Sequence, residues 1–514
     1  MQAEAFQSTA PWPQRPAWGR RLAAAALCAI VLAGTALRWC YLGAPSYHPD
    51  ETHPLTFIER FRASGSLDVN LALTPGAPKQ DQYTGSAYHL AVIGWDALLR
   101  RALPGGDGPG AALVRVRSFS ALAASAALAL FAWIAWREVG PAGAAAAAAL
   151  AAANPTLIQD AHFGRPDSLM LLLAVPFLGL CRSPARPTPG RAAAMGLLLG
   201  LLVACKTTMG LLVLLPFLSL ALRGGLRRGA FAPLALFLAC SAAAFLAGEP
   251  DAWMRTRAFI GGLRELNAQY SQPFPAQGPI DGGTTFGMAA RYFYATLGAA
   301  TAALALLGAG AWARARAWLP LAAWILPAAV FAVLFGVHTN FFERSYGTFL
   351  PGVFLAAGAG VGLLVRRGGA GPAVAAALAA LAVLPGARVT RVLVADALSG
   401  RAEAVHQDYA RRLRAAAGTV PVVNTWLCAP AQLDECLRFA ARQHGPIILA
   451  VGDFGDDWTA RSLRRLAAAL PVREIALIRG PFSDLPMSSL QCYNGPSFRY
   501  LWVGAQPPPP LPRP

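Results

Sequence analysis

Runs of about 20 apolar residues recur from residue 22 almost to residue 390, more than any soluble core of this length could hide. They fall at 22–42, 118–136, 141–158, 167–182, 192–205, 207–222, 229–247, 292–312, 317–336, 346–365 and 371–390. Charge is scarce to match: 14% of the 514 residues are Asp, Glu, Lys or Arg, against about 25% in a soluble domain. Such a chain is polytopic and helical, because only a helix satisfies its own backbone in hydrocarbon. Disorder, a long coiled coil and a disulfide mini-scaffold are excluded. The net charge of +18 is no nucleic-acid footprint, since the arginines fall between apolar runs without interleaved aromatics.

Short loops rich in Lys and Arg belong in the cytoplasm, and this rule fixes the count. Reading 192–222 as two short helices collects Arg15, Arg20, Arg21, Arg137, Arg182, Arg186, Arg191, Arg223, Arg227, Arg228, Arg314, Arg316, Arg366 and Arg367 on one side. One long helix there would send the last four outside. About eleven helices follow, with residues 1–21 as a cytoplasmic N-terminus, a transmembrane domain over 22–394, and the C-terminal part outside. Residues 22–36 have the composition of a signal-peptide core, but the many later spans favour an uncleaved anchor. Of the 16 acids in residues 1–394, only Glu4 and Glu138 fall inside. This polarity points to chemistry on the outer face.

Residues 86–103 are apolar but carry Asp96 and end in Arg100-Arg101. A mid-membrane aspartate costs about 3 kcal/mol, so this segment reads as a helix lying in the interface plane, the alternative being a span with a compensated Asp96. The large outer loops are 43–117 and 248–291, the latter read as irregular chain around Gln272-Pro273-Phe274-Pro275 and Asp281-Gly282-Gly283. Residues 395–505 alternate helix-like and strand-like segments and predict a small α/β domain with a mostly parallel sheet. The helices are expected at 406–418, 432–445 and 460–471 and the strands at 420–426, 446–452 and 473–480. Residues 506–514 are a proline-rich tail. One disulfide among Cys428, Cys436 and Cys492 fits the outer compartment, with the pairing open.

Tyr47-His48-Pro49-Asp50-Glu51 lies just outside the first span. Adjacent carboxylates at a membrane edge suit general-base work, one taking a proton while the other orients the acceptor or holds a cation. They equally suit a helix start, with Pro49 first and acids in the first turn, which Pro54 would limit to a turn or so. His162-Phe163-Gly164-Arg165-Pro166-Asp167 ends the third span, and Asp167 is either a helix cap or a second acid facing Asp50. Lys206, one of only two lysines, sits where two short helices meet outside. Lys206 and Arg165 suit a lipid phosphate, the alternative for Lys206 being a side chain snorkelling to the interface. Arg291 before the eighth span and Glu343-Arg344-Ser345-Tyr346 before the tenth complete a ring of polar residues on this face, and His338 reads as a hydrogen-bonded loop residue rather than a ligand.

An arginine-rich start, one span and Pro49-Asp50-Glu51 in a long outer loop resemble the GT-C superfamily of integral-membrane glycosyltransferases. The likeness is to its branch of bacterial aminoarabinose transferases and protein O-mannosyltransferases. Arg117, Asn154-Pro155 before Asp167, Gly196-x₃-Gly200-Leu201 leading to Lys206, Gly248-Glu249-Pro250 and Arg344-x-Tyr346-x₄-Pro351 follow in order, so the resemblance covers residues 15–390. It implies a GT-C-like fold with periplasmic juxtamembrane helices, 86–103 among them. It implies transfer of a sugar from a polyprenyl (dolichyl or undecaprenyl) phosphate donor to a hydroxyl acceptor on glycan, lipid or protein, with inversion. Asp50 would be the catalytic base, assisted by Glu51, with Asp167 a second acid. Lys206 and Arg344 would contact the phosphate, and His48, Arg165, Arg291 and Tyr346 would line the substrate site. No Asp-x-Asp triplet is present, so a divalent cation is the one cofactor left open. The compartment implied is the bacterial inner membrane.

A transporter or flippase of lipid-linked glycans is the competing class. Transporters place ionisable residues at the midplane and repeat their halves, whereas here the ions gather at one edge and no internal repeat is visible. A purely structural assembly factor with a degenerate site is the third.

Overall fold

The computed structural model describes residues 17–43, 49–69, 85–102, 109–183, 188–223, 231–270, 285–337, 341–425, 438–439, 442, 445–453, 457–485, 497–508, 510 and 512. The helices are α1 (Ala17–Trp39), α2 (Thr52–Ser64), α3 (Ser86–Ala102), α4 (Pro109–Ala153), α5 (Pro155–His162), α6 (Asp167–Arg182), α7 (Pro189–Cys205), α8 (Thr207–Leu222), α9 (Phe231–Gly248), α10 (Asp251–Met254), α11 (Thr256–Tyr270), α12 (Phe286–Arg314), α13 (Trp318–Gly336), α14 (Arg344–Gly347), α15 (Leu350–Arg366) and α16 (Gly371–Ser399). Each of the eleven predicted apolar runs falls mostly on these helices, with 141–158 and 346–365 divided between two and residues 229–230 outside the described residues. Among the described residues six helices are long and apolar enough to cross a membrane by length and composition, and α7, α8 and α15 are shorter apolar helices. The chain is a multi-pass helical membrane protein.

Its helices break where the sequence supplies a reason. α4 is two helices joined at Gly140, whose φ of 73° puts it in the left-handed region before Pro141. Residues 141–158 do not run through as one span, because Asn154 leaves the helix and its side chain accepts from Leu157 N at 3.1 Å, opening α5 with Pro155. α12 is likewise broken at Gly298, φ 74°, beneath Pro385. α7 and α9 approach closely at Gly196 and Gly200, where a Cβ would strike the backbone carbonyls of Phe237 and Ser241.

Three expectations need correction. Pro54 does not stop α2, which runs to Ser64, because a proline in the first turn removes an N–H that has no partner anyway. The loop 248–291 is helical through α10 and α11, while residues 272–275 and 281–283 lie outside the described residues. The sheet of the C-terminal domain is mixed rather than mostly parallel.

That domain holds α17 (Arg401–Ala417), β1 (Val422–Thr425), β2 (Ile447–Asp453), α18 (Asp457–Ala469), β3 (Val472–Ile478) and β4 (Ser497–Val503). The order is β1-β2-β4-β3, with β1 and β2 parallel. The unforeseen β4 enters antiparallel between β2 and β3. One face packs Tyr409 and Leu413 of α17 on Ile448, Tyr500 and Trp502. The other packs Leu466 of α18 on Leu449, Val451 and Leu501. Most of the expected helix at 432–445, and Cys428, Cys436 and Cys492, lie outside the described residues.

Candidate active site

The chain leaves α1, and a tight turn at Pro49–Glu51 opens α2. The two neighbouring carboxylates part company there. Asp50 keeps 41% of its side chain exposed, and its Oδ2 accepts from Arg344 Nη1 at 2.5 Å. Glu51 is turned inward and wholly buried. Its Oε1 accepts from Arg117 Nε at 2.8 Å and from Gly164 N at 2.7 Å, and its Oε2 accepts from Arg117 Nη2 at 2.7 Å. Arg117 also donates to the Leu42 carbonyl at 3.0 Å. Glu51 therefore ties the end of the first span, the start of α4 and the segment before α6 into one buried knot beneath Asp50.

That segment carries a second polar cluster. The buried Arg165 donates to Asp160 Oδ1 at 2.6 Å and has Asp167 Oδ2 at 3.7 Å. Its guanidinium and that of Arg117 lie 5.0 and 5.6 Å from the Phe163 ring centroid. Asp160 is buried against Gly347, where a Cβ would come within 3.2 Å of its Oδ2. Burial first, then the nearby Asp167, push the Asp160 carboxyl well above the usual carboxylate range, against the pull of Arg165. Asp167 does not cap α6 as one reading had it, because Pro166 takes the cap position and no side chain accepts from the first turn; Asp167 is the buried first residue of the helix, where its charge suits the dipole.

His162 stacks on Tyr41 with centroids 3.7 Å apart, and its Nδ1 faces the Ile158 carbonyl at 2.7 Å. Burial, with Arg38 and Arg117 adding to it, pushes the imidazole down to about 3. A depressed histidine contributes stability that is full above about pH 6.5 and drains away as pH falls toward 3. His162→Gln should flatten that part of the acid limb in a melting-temperature profile, and an unchanged limb would refute the assignment.

Lys206 sits at the joint between α7 and α8, with its Nζ 3.3 Å from Ser345 Oγ and 5.6 Å from the Phe335 ring centroid. Ser345 is the chain neighbour of Arg344, so α14 brings the cation of Lys206 and the ion pair of Asp50 onto adjacent residues. The joint is held from behind. Gly85, at φ 43°, rests on the Cys205 carbonyl so closely that a Cβ would lie 2.8 Å from Cys205 C. α3 then starts at Ser86, whose N and Oγ donate to the buried Glu249 at 3.2 and 2.7 Å. Gly85→Ala meets both the φ penalty and the clash and should destabilise by about 2 kcal/mol, read as a loss in chemical unfolding of the reconstituted protein.

α3 is the helix expected at 86–103. Asp96 is buried and compensated on both sides, accepting from Arg62 Nη2 at 2.9 Å and Arg115 Nε at 2.7 Å. The remaining candidates separate. Tyr346 is buried edge-on against Phe293 and Phe335, at 5.2 and 5.6 Å. Arg291 is exposed near the start of α12. His48 and His338 lie outside the described residues. Among the described residues no three His, Cys, Asp or Glu side chains gather as a metal site. Asp160 escaped the sequence reading, where an aspartate five residues before an arginine that precedes Asp167 was the available signal; Ser345 entered it only as a member of the polar run 343–346.

No protein-family model matches the chain, and no curated protein matches it. Among solved structures it is similar to ArnT from Cupriavidus metallidurans bound to undecaprenyl phosphate, at 13% identity over 94% of this chain and 99% of the other, with a TM-score of 0.48. The apo state of the same protein gives 13% identity over 93% and 97%, with a TM-score of 0.47. The Archaeoglobus fulgidus oligosaccharyltransferase in complex with Zn and sulfate gives 14% identity over 71% of this chain and 52% of that one, with a TM-score of 0.42.

Proposed function

We propose that this chain is an integral-membrane glycosyltransferase that moves a sugar from a polyprenyl-phosphate donor to a hydroxyl acceptor at the outer face. The observation that carries the reading is the line Asp50–Arg344–Ser345–Lys206: a half-exposed carboxylate and two cations gathered at one end of a membrane bundle. The GT-C motif order in the sequence supports it.

In the reaction, Asp50 takes the proton of the acceptor hydroxyl as its oxygen attacks the anomeric carbon. The bond from that carbon to the phosphate oxygen breaks, and the electron pair leaves with the phosphate. Lys206 and Arg344 offset the charge that grows on the leaving oxygen. Attack opposite the leaving group inverts the anomeric centre. Glu51 does not meet substrate in this scheme; it assists by fixing the turn that carries Asp50. Asp167, held with Asp160 around Arg165, supplies the second acid beside the acceptor path. Arg291 and Tyr346 border the site as an exposed cation and a buried aromatic wall. The bundle end with Asp50 is placed outside, in a bacterial inner membrane.

The test is twofold. Purified protein in liposomes is given radiolabelled polyprenyl-phosphate sugars with membrane acceptors, and a deletion strain is examined by mass spectrometry of its surface glycans and lipids. A covalent product, and a missing hexose or pentose increment in the strain, are the expected results. Movement of label across the bilayer with no product would replace the reading with a transporter.

A further inference from the structure

The first span holds a buried cation that the transfer scheme does not use. Arg38 of α1 is almost fully buried, and its guanidinium serves two backbone carbonyls: Nη1 donates to Gly34 O at 2.7 Å and Nη2 to Ala151 O at 3.0 Å. The second bond repairs a defect written into the sequence. Ala151 O would take its helical hydrogen from residue 155, which is Pro155 and has no N–H. Gly34 lets the guanidinium come near, since a Cβ there would lie 2.8 Å from the Ala152 Cβ. The same break opens a second carbonyl. Leu157 N, the helical partner of Ala153 O, is turned to the Asn154 side chain at 3.1 Å. Thr390 of α16 takes its place and donates through Oγ1 to Ala153 O at 2.9 Å. One turn earlier on α16, Gly386 keeps the approach clear, because a Cβ would stand 3.0 Å from that oxygen. An orphan carbonyl is costly inside an apolar bundle, so these two side chains are what allows the chain to break at Asn154.

Beyond the break, α5 is the floor on which α14 lies. Thr156 Oγ1 is 2.9 Å from Tyr292 Oη of α12 at one end of α5, and Asp160 holds Arg165 toward the other. A Cβ at Gly347 would meet three residues of this one helix: Asp160 Oδ2 at 3.2 Å, Leu157 Cδ2 at 3.6 Å and Thr156 Cγ2 at 3.9 Å. Arg344 and Ser345, which reach Asp50 and Lys206, belong to the same short helix as Gly347. A shift of α5 therefore moves the cation of Arg344.

We infer that Arg38 and Thr390 are positioning residues for the transfer site: they hold the break between α4 and α5 from two sides, and α5 in turn fixes where α14 presents Arg344 to Asp50 and Ser345 to Lys206. Neither side chain meets substrate in this role, which presupposes that Asp50, Arg344 and Lys206 serve glycosyl transfer. It also gives a function to Asn154-Pro155, a landmark that the reaction scheme leaves without one.

The full-length protein in liposomes is compared with Thr390→Val and Arg38→Met, which remove a donor and keep much of the side chain's volume. Hydrogen exchange read by mass spectrometry should speed up about tenfold over both α5 and α14, the size expected when a buried carbonyl loses its partner. In transfer kinetics kcat should fall by about 10–10²-fold and donor KM should rise with it, as follows when Arg344 is held out of place. Thr390→Ser keeps the hydroxyl and should restore both readouts. In an Arg344→Ala background Thr390→Val should lower turnover much less than in wild type, because the group it positions is gone. If exchange rises over α5 alone and turnover per folded protein is unchanged, the two side chains only satisfy carbonyls and the role is refuted. An equal loss of turnover with and without Arg344 refutes it as well, as does failure of Thr390→Ser to rescue. Should Arg38→Met not fold, Thr390→Val carries the same comparisons. Wild type that makes no product defeats the transfer reading, and the role with it. Normal product from the variants beside unaltered exchange over α14 defeats the role alone.

Discussion

Replacing Asp50 by asparagine should reduce transfer from a polyprenyl-phosphate sugar by about 10²–10⁴-fold, with the loss in kcat rather than KM. The change removes one charge and almost no volume. Asp50 is 41% exposed and its partner Arg344 lies at the surface of the site, so stability should barely move. That separation makes the variant informative. A carboxylate that merely anchored Arg344 would be expected to alter donor affinity, because Arg344 is assigned to the phosphate. A carboxylate that accepts the acceptor's proton must alter turnover. Steady-state assays over a range of donor concentration decide between them, and full activity in Asp50→Asn would remove Asp50 from catalysis. Arg344→Ala serves as the matched control. It should raise KM for the donor and lower kcat together, since it loses both the cation beside the leaving oxygen and the contact that aims Asp50.

The helical plan was readable because a bilayer leaves so few ways to arrange a chain. Run length, arginine placement and the parity of the short pair α7 and α8 were enough to put Asp50, Lys206 and Arg344 at one end, and α14 brings these three together. Residue chemistry alone did not say which of two adjacent carboxylates turns outward, and only the family resemblance singled out Asp50. Asp50 and Glu51 have the same chemistry one residue apart, and only the turn at Pro49–Glu51 sends one outward and the other into the core. Asp96 is a similar case. Its burden was visible, but its relief comes from Arg62, in another helix, and from Arg115. Long-range partners of this kind leave no local pattern. β4 was missed for another reason. The segment 497–503 pairs with β2 and β3, so the direction of the sheet depended on a strand that follows both in sequence.

Breaking the buried pair of Glu51 and Arg117 should be the most damaging single change to the fold. Both side chains are fully buried, and their two parallel hydrogen bonds at 2.8 and 2.7 Å leave little of either group unsatisfied. Removing one partner strands the other's charge away from water, at about 3–5 kcal/mol. Arg117→Met should therefore unfold the protein at markedly lower denaturant, and Arg117→Lys should rescue little, because an ammonium cannot reproduce the planar fork. Glu51→Gln tests the same knot more gently, keeping the shape and a carbonyl acceptor for Gly164 N. The double variant Glu51→Gln/Arg117→Met removes both charges and should cost less than the two single losses added, and that shortfall is the coupling energy of the pair. Activity then separates structure from chemistry. Glu51 touches no substrate in the proposed scheme, so Glu51→Gln should lose no more than about 10²-fold, the size of effect expected when a catalytic group is held slightly out of place. A loss in Glu51→Gln equal to that in Asp50→Asn, at unchanged stability, would instead make Glu51 a participant in proton transfer.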